Sequence, residues 1–100
     1  MIKHIVMWRL KETAMGNTKK ENALIIKQKL EALKSVIPGI IKMEVGIDFS
    51  GTEASSDVVL YSEFESREAL NNYQDHPEHD AVRNFVKEVR TERRLVDYKI

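Results

Sequence analysis

Strand-like alternation and helix-like spacing of apolar residues follow one another along the 100-residue chain in the order strand, helix, strand, strand, helix, strand. That succession restricts the fold more than any other feature. The first segment, Ile2–Leu10 (IKHIVMWRL), is rich in β-branched and aromatic residues. Its even positions, Ile2, His4, Val6, Trp8 and Leu10, share one face, and Ile5 and Met7 make the other face partly apolar. Gly16-Asn17 breaks the chain, and Thr18 with Glu21 has the spacing of a capping box. Ala23, Ile26, Leu30, Leu33 and Ile37 then recur at helical steps, with Lys27, Lys29, Glu31 and Lys34 predicted to face water. Pro38-Gly39 ends this helix.

A second strand is expected over Ile40–Asp48, with Ile41, Met43, Val45 and Ile47 on its covered face. The polar stretch Ser50–Ser56 reads as a mobile loop closing a hairpin to a third strand, Asp57–Phe64, which is apolar on both faces. Ser66 suits the cap of a short helix carrying Ala69, Leu70 and Tyr73, and Pro77 suits the first turn of the next. Val82, Phe85, Val86 and Val89 form the inward stripe of that helix, with His79 one turn before them. Leu95–Ile100 closes the chain as a fourth strand.

The order βαββαβ predicts an α+β, ferredoxin-like sandwich. Right-handed crossovers put the first and third strands at the centre of a four-stranded antiparallel sheet and both helices on one face. Ile5, Met7 and residues of the third strand then leave apolar area on the opposite face. With ~250–400 Å² of such area at ~25 cal/mol per Å², leaving it wet forgoes on the order of 6–10 kcal/mol. A second copy of the chain is the economical cover, giving a homodimer through the sheet and an eight-stranded dimeric α/β barrel.

Sixteen basic residues balance sixteen acidic ones, which argues against nucleic acid or an anionic membrane as a partner. The cluster Arg90, Arg93 and Arg94 is broken by Glu92 and reads as a solvated helix end. Without cysteine there is no disulfide framework or thiol nucleophile. Lys3, His4 and Arg9 interrupt the first apolar run, unlike a signal peptide, so the cytoplasm is the expected compartment.

The opening IKHIVMWRLK, the segments SVIPGI and VGID, the run LYSEFESREALNNYQDHPEHDAVRNFV and the closing VDY together resemble the stress-responsive dimeric α/β-barrel (Dabb) family over nearly the whole chain. The resemblance implies a homodimeric barrel, an association with stress responses and, for most members, no assigned reaction. Plant polyketide cyclases of that family use a histidine and a tyrosine, without metal or cofactor, for an aldol-type ring closure. These match His79 and Tyr73, at the two ends of YQDHPEH, and a histidine near their pocket matches His4.

On the residues themselves, a neutral His79 ring is competent as a general base near neutral pH, and Tyr73 as a hydrogen-bond donor to a carbonyl. His4, placed on the helix side of the sheet, converges with them. Trp8, on the face of His4, and Ile26 and Leu30, where the cyclases carry aromatic residues, complete the candidate substrate-binding wall, and the bulk of Trp8 decides whether it encloses space. Such a pocket suits a small hydrophobic carbonyl compound and calls for no cofactor. His76, Glu78, His79 and Asp80 lack the spacing of a helical metal motif, so no metal is assigned, and Asp75 or His76 is expected to cap the helix. Two other readings stand beside this one: a non-catalytic stress or regulatory homodimer working through its outer helices or the Ser50–Ser56 loop, and, by analogy of fold, a cofactor-free oxygenase.

Overall fold

The computed structural model describes residues Met1–Ile100. Its main sheet is formed by β1 (Ile2–Leu10), β4 (Ile40–Ile47), β5 (Val58–Phe64) and β6 (Arg90–Lys99), in the antiparallel order β4-β5-β1-β6. The first and third major strands are central, as the crossover rule requires. A two-residue ladder, β2 (Thr13–Ala14) with β3 (Asn17–Thr18), precedes α1 (Lys19–Glu31), which runs into a 3-10 turn at Ala32–Ser35. The remaining helices, α2 (Arg67–Asp75) and α3 (Pro77–Val89), lie with α1 on one face of the sheet.

The small hairpin is where Gly16-Asn17 reads from sequence as a simple break. Met15 and Gly16 both take positive φ, 54° and 77°, the conformation a two-residue strand turn needs. Asn22, fully buried, ties the hairpin down by donating from Nδ2 to the Ala14 carbonyl at 3.1 Å and accepting from Asn17 Nδ2 at 3.3 Å. Thr18 and Glu21 form the expected capping box of α1, and the Ser66 hydroxyl caps α2 by accepting from the Ala69 amide at 3.1 Å.

The even positions of β1 are all buried against the helices. They join Ile26 and Leu30 of α1, Val58, Leu60 and Phe64 of β5, and Val82, Val86 and Val89 of α3 in one core. On β4 the expected alternation fails at both ends. The register slips between Ile40 and Lys42, so Ile40 is buried while Ile41 bulges outward, and Ile47 is exposed at the strand end. Lys27 and Glu31 do not simply face water. Lys27 Nζ donates to the Val45 carbonyl at 2.7 Å, and Glu31 accepts from the Val45 amide at 3.0 Å, closing part of the open β4 edge. These donors hold the Glu31 carboxyl below its ordinary pKa, Lys27 contributing most.

The largest departure is β6, which begins at Arg90 with no loop after α3 rather than at Leu95. Its register against β1 places Arg93, Leu95 and Asp97 on the helix side and Arg94, Val96 and Tyr98 on the outer side. The cluster Arg90, Arg93, Arg94 is therefore part of an edge strand and not a solvated helix end. The outer face carries no helix, and Met7, Val96 and Tyr98 are 40–50% exposed there. No helix is long and apolar enough to cross a membrane.

Candidate active site

A proline inside a helical stretch removes a donor and forces a break. Here Pro77 separates α2 from α3, and His76 between them ends one helix and starts the other, its Nδ1 accepting from the Glu78 amide at 3.1 Å. Of the two capping candidates, His76 serves. The break turns the last turn of α2 and the first turn of α3 toward each other, so Tyr73 and His79 stack with ring centroids 4.2 Å apart. Beneath them on β1 lies His4, 3% exposed, its ring edge-on to Tyr73 at 6.2 Å.

Between the sheet and these helices is a cavity of about 300 Å³, at the small end of ligand pockets. Its floor is His4, Val6 and Trp8 of β1 with Leu60 of β5. Leu30, Tyr73, His79, Val82 and Val86 form the opposite wall, and Arg83, Lys87, Arg90 and Arg93 stand toward solvent at its mouth. Trp8 is thus a wall and does not plug the space. Five of the six residues singled out from sequence, His4, Trp8, Leu30, Tyr73 and His79, meet at this cavity. Ile26 does not line it and is fully buried in the core.

The Tyr73 hydroxyl is buried with no hydrogen-bond partner. Burial raises its pKa well above the ordinary tyrosine value, with Arg83 and Arg93 pulling weakly the other way. It is a neutral donor held ready. His79 is half-buried, and desolvation pushes its pKa down to about 4; the Gln74 carbonyl opposes this, and the nearby Arg83 adds to it. Desolvation favours the neutral ring, with a basicity lower than a base working near neutral pH calls for. Arg83 Nη2 donates to the Gln74 carbonyl at 2.7 Å and stands 3.2 Å from His79 Nδ1, which is 3.3 Å from the same carbonyl. In one tautomer Nδ1–H donates to Gln74; in the other Nδ1 accepts from Arg83.

His4 has a different partner. Asp97, directly opposite on β6, lies with Oδ1 2.5 Å from His4 Nδ1. A His4 ring that donates from Nδ1 to this carboxylate presents Nε2 as an acceptor. Asp97 sits in the closing VDY, but only the β1–β6 register reveals the pair. Arg83, Arg90 and Arg93 also escape sequence reading, since nothing in a charge-balanced stretch shows which cations turn toward a cavity. His76, Glu78, His79 and Asp80 do not converge: no group of three His, Asp or Glu side chains is placed to hold a metal ion.

A four-stranded ferredoxin-like sheet, covered on one face by helices and enclosing a small cavity lined by two histidines and a tyrosine, defines a compact α+β pocket protein. The chain belongs to the stress responsive A/B barrel domain family, Dabb, whose family model matches residues 2–100. Among solved structures it is similar to a dimeric protein of unknown function and ferredoxin-like fold from Bacteroides fragilis, at 33% identity and a TM-score of 0.82, covering 99% of this chain and 95% of that one. It is also similar to a Dabb family protein from Mesorhizobium loti, at 29% identity and a TM-score of 0.71, with coverages of 99% and 95%. A hydroxynitrile lyase from Passiflora edulis shares 19% identity with a TM-score of 0.78, covering 99% and 92%, a likeness of fold alone. No curated protein sequence matches the chain.

Proposed function

We propose that this chain is a cytoplasmic homodimer whose cavity binds a small hydrophobic carbonyl compound and moves a proton on the carbon next to the carbonyl, without a cofactor. The observation that carries the reading is the Tyr73 hydroxyl, buried and unpartnered between two histidines in the wall of an open cavity. A native fold keeps such a donor without a partner at a cost, and a bound carbonyl oxygen would supply the acceptor.

The proton work divides differently from the expectation that His79 is the base. Arg83 beside His79 disfavours a charged ring there, whereas Asp97 beside His4 fixes the orientation of its ring through Nδ1. His4 Nε2 is the acceptor in this reading, Asp97 its positioning partner, Tyr73 the donor to the carbonyl oxygen, and neutral His79 a second polar contact. Pairing through the outer sheet face is supported by the exposed Met7, Val96 and Tyr98 and by the dimeric state of the Bacteroides fragilis relative. The compartment agrees with a chain that holds its fold by packing rather than by disulfides.

Exchange of the methyl protons of acetophenone in D2O, followed by NMR, tests the chemistry. The protein is expected to accelerate it, and Asp97→Asn to lower the rate at least about tenfold by removing the carboxylate that holds the His4 ring in the tautomer with Nε2 free. Exchange no faster than in buffer, with acetophenone bound, would assign the cavity to binding alone. Light scattering of Met7→Asp against the parent chain tests the pairing, with a fall from dimer to monomer expected.

A further inference from the structure

The chain is charge-neutral overall, yet its cavity is not. Of the fourteen residues lining it, four are Lys or Arg and none is acidic. Nearby carboxylates are already engaged: Asp80 pairs with Arg83 at 2.9 Å, and Asp97 holds His4. Lys87, Arg90 and Arg93 take part in no ion pair. Elsewhere on β6 the opposite arrangement holds, since Arg94 on the outer face is paired with Glu92 at 3.2 Å. Three unpaired cations beside one small cavity concentrate positive potential there, and apolar walls strengthen it.

From this geometry we infer that the ligand is an anion: a carbonyl compound bearing a carboxylate, with the carboxylate held at the mouth by Arg90 and Arg93 and the carbonyl at depth beside Tyr73. The inference deepens the function proposed above and rests on it for the carbonyl end. A carboxylate presents two coplanar oxygens that guanidinium groups match, and it is small enough to leave most of a cavity of about 300 Å³ to the hydrophobic body. The apolar floor of Val6, Trp8 and Leu60 receives that body.

Three probes of nearly equal size separate the possibilities by calorimetry at low salt: 4-oxo-4-phenylbutanoate, its neutral amide, and 4-phenylbutanoate, which lacks the ketone. The keto acid is expected to bind at least about tenfold tighter than the amide, and the ratio to shrink as salt screens the rim. In Arg90→Gln/Arg93→Gln the ratio should fall toward one; if the double variant does not fold, Arg93→Gln alone, at an exposed position, should reduce it severalfold. Equal binding of acid and amide, or a ratio unmoved by these substitutions, overturns the anion while leaving the carbonyl pocket intact. Equal binding of the two acids, each well above the amide, supports the anion and removes the carbonyl reading. Binding of none of the three overturns both.

Discussion

Replacing Tyr73 with phenylalanine should make the folded chain more stable, the reverse of the usual result for a buried tyrosine. The hydroxyl is buried and no protein group accepts from it, so folding strips it of bulk water without a protein hydrogen bond in return. An unsatisfied hydroxyl of this kind costs about 1–3 kcal/mol. Phenylalanine keeps the ring, and with it the contacts to Phe64 at 5.0 Å, His79 at 4.2 Å and His4 at 6.2 Å, so no cavity opens to offset the gain. The net expectation is a stabilisation of about 1 kcal/mol, taking the low end of that range. For a domain of this size it raises Tm by roughly 4–8 °C. Urea denaturation at fixed protomer concentration checks it, with the midpoint rising and the slope unchanged. The same substitution should weaken ketone binding, so stability and function would move in opposite directions. A loss of 1 kcal/mol or more on Tyr73→Phe would show that the hydroxyl has a partner in the folded state and would refute the reasoning.

His79 carries a pH signature. Its pKa falls from an ordinary 6.5 to about 4 on folding, so between these values the unfolded chain binds the extra proton. Stability should therefore be independent of this group above about pH 6.5, decline as pH falls toward 4, and level off below, by ~2 kcal/mol after discounting for the ring's partial exposure. The slope should be missing from His79→Gln in denaturation curves taken across that window. Gly39, at φ 89°, sits where a Cβ would approach the Ala69 Cβ to 2.8 Å. Gly39→Ala should cost ~2–3 kcal/mol from backbone strain and overlap together, and adding Ala69→Gly should recover the overlap part; full recovery would mean that the backbone bears no strain.

Much of the architecture was legible because local patterning and global fold agree. The capping box at Thr18 and Glu21, the break at Pro77 and the alternation of Ile2–Leu10 each specify a local conformation, and crossover handedness leaves one arrangement for elements in that order. Where local signals were weak, reading failed. β6 begins in RTERR, whose charges resemble a helix end, and becomes a strand because β1 offers it a ladder. Ile41 leaves the core because β4 slips by one residue against β5, a choice made by pairing and not by hydrophobicity.

The site divides along the same line. His4, Tyr73 and His79 could be named from sequence, since the family resemblance singles them out and each lies on an inward stripe whose period is set by local geometry. The partnership of His4 with Asp97, 93 residues away, depends on strand register, and the pull of Arg83 on His79 depends on how two helices meet at a proline. Burial favours the neutral forms of the Tyr73 hydroxyl and the His79 ring, and burial belongs to the packed protein. The chain's own order thus specified which elements form and which faces turn inward; tertiary structure alone decided which histidine stands beside a carboxylate, which beside an arginine, and that three unpaired cations line one cavity, because those relations arise between segments that no local interaction brings together.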